Sequence, residues 1–209
     1  MIWTVVVAGG SATRFGGPKQ YELLGDRRVL DWAVAAANAA SAGVVVVLPA
    51  ADAGAPGTVA GGATRSESVR CGLAAVPDDA TIVCVHDAAR PFANAEQFAA
   101  VISAVRDGAD GAVPGVPVAD TIKIVSPAGV VTATPDRDSL VAVQTPQAFR
   151  ADILRRAHAG QGEGTDDAAL VERLGGRVVV VAGSTRNRKI TRPDDLTWAQ
   201  AEAEVEAQR

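Results

Sequence analysis

A glycine-rich loop near the beginning of the chain carries two cations at a spacing suited to binding phosphate. An apolar run at residues 2–8 leads into Gly9 and Gly10, and Arg14 and Lys19 follow shortly after. Glycines let backbone N–H groups approach an anion closely, and a helix after such a loop would add its positive N-terminal dipole. The two side chains would add full charges. We therefore interpret this segment as a phosphate-binding loop.

Two common phosphate-binding motifs do not fit this loop. A Walker A loop requires Gly-Lys followed by Ser or Thr, whereas Pro18 precedes Lys19 and Gln20 follows it. A dinucleotide-binding loop requires a glycine at the position of Ala12, and it usually lacks two cations. A plain strand-to-helix turn with incidental surface charges stays open as the other interpretation.

The three lysines of the chain are candidates for a site because the sequence otherwise uses arginine. Lysine and arginine together number 20, and Lys19, Lys123 and Lys189 are the lysines among them. Lysine is a compact point charge suited to a single phosphoryl oxygen, whereas arginine is a planar fork. Three lysines left by chance are the alternative.

A cluster of polar residues closes the predicted strand 81–86. His86, Asp87 and Arg90 lie there, at the edge where α/β sheets bind ligands. Asp87 could contact a metal ion, a ribose hydroxyl or a substrate, and we expect His86 to be structural. The loop 61–68 offers bare backbone and hydroxyls to a base edge, a plain capped helix being the alternative.

The elements that must position these residues alternate along the chain. Valine- and isoleucine-rich runs predict buried strands, and longer periodic segments predict helices. The strands are expected at 2–8, 44–48, 81–86, 110–114, about 141–144 and 177–182, and the helices near 29–41, 64–76, 94–106, 150–158, 167–174 and 193–207. This rhythm predicts an α/β fold with an open, mostly parallel sheet and helices on both faces.

The segment at about 116–138 does not follow this alternation of strands and helices. Two β-branched runs flank Ser126-Pro127-Ala128-Gly129, which predicts a protruding β-hairpin arm at about 116–138. An isolated hairpin is marginally stable, so we expect it to pack against the same arm of a second subunit. We expect residues 1–209 to form one domain that includes this arm.

Composition and charge argue against several classes of binding partner and location. A net charge of −4 and eight aromatic residues argue against a nucleic-acid surface. The sequence has no apolar stretch long enough to span a membrane and begins with a strand rather than a signal peptide, which predicts a cytoplasmic protein. Cys71 and Cys84 have no metal-binding spacing, so we expect them to pack in the core.

The motifs, taken in order, closely resemble the 2-C-methyl-D-erythritol 4-phosphate cytidylyltransferase family over nearly the whole chain. Those that carry the resemblance are the Gly9-Gly10 loop with Arg14 and Lys19, Gly61-Gly62-Ala63-Thr64-Arg65-Ser66-Glu67-Ser68, His86-Asp87-Ala88-Ala89-Arg90-Pro91, Asp120-Thr121-Ile122-Lys123, Asp136-Arg137, Gln144-Thr145-Pro146-Gln147-Ala148-Phe149, Thr165-Asp166-Asp167-Ala168 and Arg188-Lys189-Ile190-Thr191. The resemblance implies a Rossmann-like nucleotidyltransferase fold, CTP and methylerythritol phosphate as substrates, Mg²⁺ as cofactor, and a homodimer through the hairpin arms.

The resemblance also implies roles for individual residues. Arg14 and Lys19 would stabilise the transition state, and Arg137 and Lys189 would hold the acceptor phosphate in line. The nucleotide would be bound by Ala8, Gly9, Gly10, Gly62 and Ser68. The acceptor would be bound by Asp87, Arg90, Thr121, Arg137, Thr145, Thr165 and Lys189, with Thr121 and Arg137 reaching across the dimer. Asp87 is the one metal ligand we would name. Departures at Gly9, Ala12 and Ala63 leave the individual phosphate and base contacts open.

Two other functions stay open at this point. A related cytidylyltransferase that acts on ribitol 5-phosphate shares the loop and the layout. A non-catalytic nucleotide-binding module would bind CTP without turnover, but cations drawn from four separated segments favour an enzyme. An ionised phosphate monoester is already a nucleophile at pH 7, so a chain with two histidines and no nucleophile-base pair suits this chemistry.

Overall fold

The fold centres on an eight-stranded sheet whose strands are rich in β-branched residues. It is seen in a computed structural model that describes residues 1–10, 15–160 and 162–207. The strands of this sheet are β1 (Ile2–Val7), β4 (Gly43–Leu48), β5 (Thr58–Ala60), β6 (Ile82–Asp87), β7 (Gly111–Pro117), β10 (Val141–Val143), β11 (Gln147–Arg150) and β12 (Val178–Ala182). Two short hairpins lie outside it, formed by β2 (Leu23–Leu24) with β3 (Arg27–Arg28) and by β8 (Ile124–Val125) with β9 (Val131–Ala133).

The sheet is mixed but mostly parallel. Strand β1 lies between β4 and β6 and pairs in parallel with both, and β12 pairs in parallel with β7. Strand β11 is inserted antiparallel between β6 and β7. Because β11 and β12 both pair with Gly111 and Ala112, they occupy opposite edges of β7, and β10 continues along the edge that β11 uses. The predicted α/β class is confirmed.

Helices cover both faces of the sheet, as predicted. They are α1 (Val29–Ala40), α2 (Arg65–Ala74), α3 (Ala95–Arg106), α4 (Ala151–Ala159), α5 (Asp167–Arg173) and α6 (Pro193–Ala207). Side chains alternate along β1, so Val5 packs with Val69 of α2 and Leu154 of α4, whereas Val6 packs with Ala33 of α1 and Phe98 of α3. No helix in the described residues is long and apolar enough to cross a membrane.

A third apolar cluster holds the C-terminal helix against the rest of the molecule. Ala199 and Ala203 of α6 pack with Leu24, Val29 and Ile190. Ile190 is fully buried, and its N–H donates to the Ala89 carbonyl at 2.8 Å. The segment on either side of Ile190 is thereby fixed over the carboxyl end of β6.

The predicted hairpin arm is present. Its turn is closed by Gly129, whose N–H donates to the Ser126 carbonyl at 2.9 Å and whose φ of +78° suits glycine. The two strands cover only part of the predicted β-branched runs, which lie at 121–125 and 130–134. The apolar side chains of the arm, such as Ile124 and Val131, are exposed.

Several expectations about local structure were wrong. The strand expected to be buried at 177–182 is only partly buried, with Val180 exposed, because it borders only β7 in the described residues. The segment at 141–144 is an exposed antiparallel strand rather than a buried one, because it borders only β7. Strand β11 was not predicted at all, since its sequence has no alternating pattern. No helix directly follows the glycine loop in the described residues: Phe15–Pro18 precede a short 3-10 helix, Lys19–Tyr21, and α1 begins at Val29.

Candidate active site

Two adjoining cavities lie over the carboxyl ends of the parallel strands. The larger has a volume of about 540 Å³ and the smaller about 340 Å³, within the usual range for small-molecule sites. Arg65, Asp87 and Lys189 line both cavities and so form the wall between them. This is the edge at which open α/β sheets bind ligands.

The larger cavity gathers all five residues assigned to the nucleotide. Ala8, Gly9 and Gly10 follow β1, and Gly62 and Ser68 come from the loop and first turns of α2. Lys19 also lines this cavity. Arg14, the other cation of the glycine loop, lies outside the described residues.

The start of α2 is a capped helix, as one interpretation expected. The Thr64 hydroxyl accepts from the Glu67 N–H, and Glu67 in return accepts from the Ala63 and Thr64 N–H groups at 2.6 and 3.2 Å. A Cβ at Gly62 would overlap Glu67, so the loop needs glycine to approach the helix this closely. The cap occupies the Ala63 and Thr64 N–H groups, which leaves fewer backbone donors for a base than the sequence suggested.

Asp87 and Lys189, 102 positions apart in the sequence, meet at the shared wall. The Lys189 Nζ lies 2.5 Å from Asp87 Oδ2, and the Arg65 Nε lies 3.2 Å from Asp87 Oδ1. Burial acts to raise the pKa of Asp87, but the charges of Arg65 and Lys189 outweigh it and hold that pKa well below its ordinary value. The Asp87 carboxylate is therefore ionised at neutral pH.

Lys19 reaches the same loop from the other side of the larger cavity. Its Nζ donates to the Ile190 carbonyl at 2.6 Å. Because Ile190 follows Lys189 directly and is anchored in the third apolar cluster, one buried residue helps to place both lysines.

The smaller cavity gathers three of the residues assigned to the acceptor in addition to Asp87 and Lys189. Arg90, Thr145 and Thr165 line it. The guanidinium of Arg90 donates to the carbonyls of Asn187 and Val143, which fixes its orientation. Burial lowers the pKa of Arg90, and the nearby Asp87 carboxylate opposes that effect.

Thr145 contacts both of the last two residues of β6, His86 and Asp87. Its Oγ1 accepts from the Asp87 N–H at 3.0 Å and lies 3.0 Å from His86 Nδ1. Burial lowers the pKa of His86 to about 4, so the ring is neutral and Nδ1 can accept the Thr145 proton. His86 thus supports Thr145, in keeping with the structural role expected for it.

Thr121 and Arg137 line neither of the two cavities. Both are exposed on the arm or next to it, and the Arg137 Nη1 donates to the Ala119 carbonyl at 3.2 Å. Within one chain, these two residues are therefore not brought to the site.

The profile of the 2-C-methyl-D-erythritol 4-phosphate cytidylyltransferase family matches residues 2–205. The chain belongs to this family. A protein of that name from Streptomyces avermitilis is 45% identical over 94% of this chain and 89% of its own length. The crystal structure of the enzyme of that name from Thermus thermophilus has a TM-score of 0.82 at 36% identity, covering 96% of this chain and 98% of that one. The crystal structure of 4-diphosphocytidyl-2C-methyl-D-erythritol synthase from Anaerococcus prevotii has a TM-score of 0.85 at 28% identity, and the match covers 98% of both chains.

Several residues that complete the site lie in the motifs of the resemblance but were assigned no individual role. Arg65 lines both cavities, and Gln147 and Asp166 line the smaller one. Gln147 Nε2 donates to Asp166 Oδ2 at 3.0 Å. In the sequence, Arg65 was interpreted only as part of the loop 61–68 and its helix start, and its reach toward Asp87 depends on tertiary contacts.

The residues at the wall suit a magnesium ion only when phosphates supply most of its ligands, because both oxygens of Asp87 already face cations. No group of three or more His, Cys, Asp or Glu side chains that could hold a metal is found among residues 1–10, 15–160 and 162–207. Magnesium usually keeps several waters and binds through one or two carboxylates plus substrate phosphates. Asp87 is the carboxylate on the wall of the larger cavity, so it fits the protein's share of such a site.

Proposed function

We propose that this chain transfers CMP from CTP to 2-C-methyl-D-erythritol 4-phosphate, releasing pyrophosphate and giving 4-CDP-2-C-methyl-D-erythritol for isoprenoid precursor synthesis. The observation that best supports this function is that Arg65, Asp87 and Lys189 form a wall shared by the two cavities. Two phosphate-bearing substrates in these cavities would meet at that wall. Membership of the family gives the identity of both substrates.

The reaction needs alignment and charge neutralisation rather than a covalent intermediate. An oxygen of the acceptor phosphate forms a bond to the α-phosphorus of CTP, and the bond from that phosphorus to the bridging oxygen of pyrophosphate breaks. The acceptor phosphate is largely ionised at pH 7 and needs no general base. His86 is neutral, buried and engaged with Thr145, which fits a mechanism without one.

Lysines at the two sides of the larger cavity supply the charge. Lys19 would neutralise negative charge that builds on the α-phosphate and the leaving pyrophosphate, together with Arg14 from the glycine loop. Lys189 borders both cavities and would hold the acceptor phosphate in line. Arg90, Thr145 and Thr165 would bind the rest of the acceptor. When bound, Mg²⁺ would offset phosphate charge, with Asp87 as its ligand from the protein.

We also propose that Thr121 and Arg137 act in the site of a second subunit. Both lie outside the two cavities of their own chain, and the arm next to them exposes Ile122, Ile124 and Val131. A two-stranded hairpin with exposed apolar side chains gains stability by packing against a partner. A homodimer through the arms would cover these side chains and supply Arg137 in trans.

Subunit mixing tests this arrangement. Arg137→Ala and Lys19→Ala chains are mixed in equal amounts under conditions that let dimers exchange. They are assayed at an acceptor concentration far below the raised KM of Arg137→Ala, at which each variant alone is nearly inactive. In a mixed dimer, the chain that retains Lys19 receives an intact Arg137 from its neighbour. About half the dimers are mixed, each with one working site, so activity recovers to about a quarter of the parent level. No recovery after demonstrated exchange contradicts a shared site.

The function is tested by following pyrophosphate release from CTP with two acceptors. We expect release with methylerythritol phosphate that greatly exceeds release with ribitol 5-phosphate. Preference for ribitol 5-phosphate would assign the chain to the related enzyme, and tight CTP binding without release would indicate a binding module. A cytoplasmic location and a single domain over 1–209 stay predictions, which cell fractionation and limited proteolysis would test.

A further inference from the structure

A buried histidine and carboxylate lie directly behind the wall that separates the two cavities. His158 of α4 and Asp167, the first residue of α5, are 3% and 1% exposed. The His158 Nε2 lies 3.0 Å from Asp167 Oδ1. Asp167 lines neither cavity, so this pair cannot be explained by contact with a substrate.

Arg65 connects this pair to the site. Its Nη1 donates to Asp167 Oδ2 at 2.8 Å, and its Nε donates to Asp87 Oδ1 at 3.2 Å. Burial acts to lower the pKa of Arg65, but the two carboxylates outweigh it and raise that pKa, so the guanidinium stays charged. The planar fork of arginine can hold two carboxylates in fixed directions, which the single ammonium of lysine cannot do.

We propose that Arg65, anchored by Asp167 and His158, is a positioning residue that fixes the Asp87 carboxylate at the shared wall. One oxygen of Asp87 is held by Arg65, and the other faces Lys189 at 2.5 Å. The plane of the carboxylate is thereby set for a hydroxyl of the acceptor and for Lys189. The proposal deepens the function proposed above and depends on it.

The alternative is that the chain of contacts serves stability alone. Arg65 joins α2, β6 and α5, so its loss would loosen three elements in either case. The two interpretations differ in the acceptor KM. A stabilising contact alone would lower the melting temperature and leave the KM of the folded enzyme unchanged, whereas loss of positioning would raise it.

Asp167→Asn is the sharpest variant because Asp167 is remote from both cavities. The change keeps the shape of the side chain and removes the charge that anchors Arg65. We expect the KM for methylerythritol phosphate to rise by about tenfold, the effect of weakening one charge-assisted contact. The dissociation constant of CTP, measured by calorimetry, should change by less than about threefold, because Asp87 is assigned to the acceptor and the five residues assigned to the nucleotide are unchanged.

Arg155→Lys is the matched control for Arg65→Lys. Arg155 is exposed to a similar degree as Arg65, 28% against 26% for the side chains, and its Nη2 donates to the carbonyls of Val76 and Pro77, away from the site. Its replacement should lower the melting temperature and leave the acceptor KM unchanged. Arg65→Lys provides a second test: it keeps the charge but not the fork, so the acceptor KM should be higher than that of the parent.

An acceptor KM equal to that of the parent in Asp167→Asn, or in Arg65→Lys, would overturn the positioning role. If Asp167→Asn does not fold, the Arg65→Lys measurement decides. Both outcomes are distinguishable from failure of the proposed function, in which the parent protein itself releases no pyrophosphate when methylerythritol phosphate is added.

Discussion

Replacement of Lys19 by alanine should separate an effect on the transition state from an effect on folding. The Nζ of Lys19 donates to the Ile190 carbonyl at 2.6 Å in a partly buried position. A hydrogen bond from a charged group contributes about 1.5–3 kcal/mol to stability, so for a chain of this size its loss lowers the melting temperature by roughly 3–12 °C. Typical domains are stable by about 5–15 kcal/mol, so the variant should be almost fully folded at 25 °C.

The expected loss of activity is much larger. Loss of one preorganised donor to charge that develops in the transition state lowers kcat by about 10² to 10³, or roughly 2.7–4 kcal/mol. The assay is pyrophosphate release at saturating CTP and acceptor, with the melting temperature measured on the same preparation. Arg28→Ala is the charge-matched control, since Arg28 pairs with Asp31 on the surface and should leave kcat unchanged. A folded Lys19→Ala protein with kcat within about threefold of the parent would refute the role given to Lys19.

Three further predictions follow from the same geometry. Lys189→Ala and Arg137→Ala should raise the KM for methylerythritol phosphate and leave the dissociation constant of CTP·Mg²⁺ roughly unchanged in calorimetric titrations; a large loss of CTP affinity would move that residue to the nucleotide site. Val131→Asp should convert the proposed dimer to monomers in sedimentation velocity and abolish activity, because it places a charge in the proposed arm contact; a fully active monomer would contradict that contact. The pKa of Asp87 is depressed, so its ion pairs stabilise the protein above about pH 4 and are lost as pH falls below it. In urea titrations, Asp87→Asn should therefore lose less stability than the parent between pH 5 and 3, and parallel losses would argue against these pairs.

The sequence predicted the parts of the fold that depend on local pattern. The capped start of α2 at Thr64 was confirmed because an N-cap and its acceptor three residues later are local signals. Strand β11 was missed because Gln147–Arg150 has no alternating pattern and becomes a strand only by insertion between β6 and β7. Long-range pairing of this kind is decided by the rest of the sheet.

In the site, too, the sequence predicted local features and missed those that depend on long-range contacts. Asp87 could be placed at a strand end and Lys189 in a loop, but their pairing across 102 positions arises from the packing of Ile190. Arg65 and Asp167 lie in motifs of the resemblance but were given no role, and His158 had no local signal at all. Thr121 and Arg137 were assigned by resemblance alone, and their place in one chain fits that assignment only if a second subunit supplies them.

The most direct test of the proposed chemistry labels the acceptor phosphate with ¹⁸O and determines the mass of both products. Attack by the acceptor phosphate on the α-phosphorus of CTP predicts that all of the label appears in 4-CDP-2-C-methyl-D-erythritol and that the pyrophosphate is unlabelled. Label in the pyrophosphate, or pyrophosphate release without a labelled cytidylyl product, would contradict the transfer proposed for this chain.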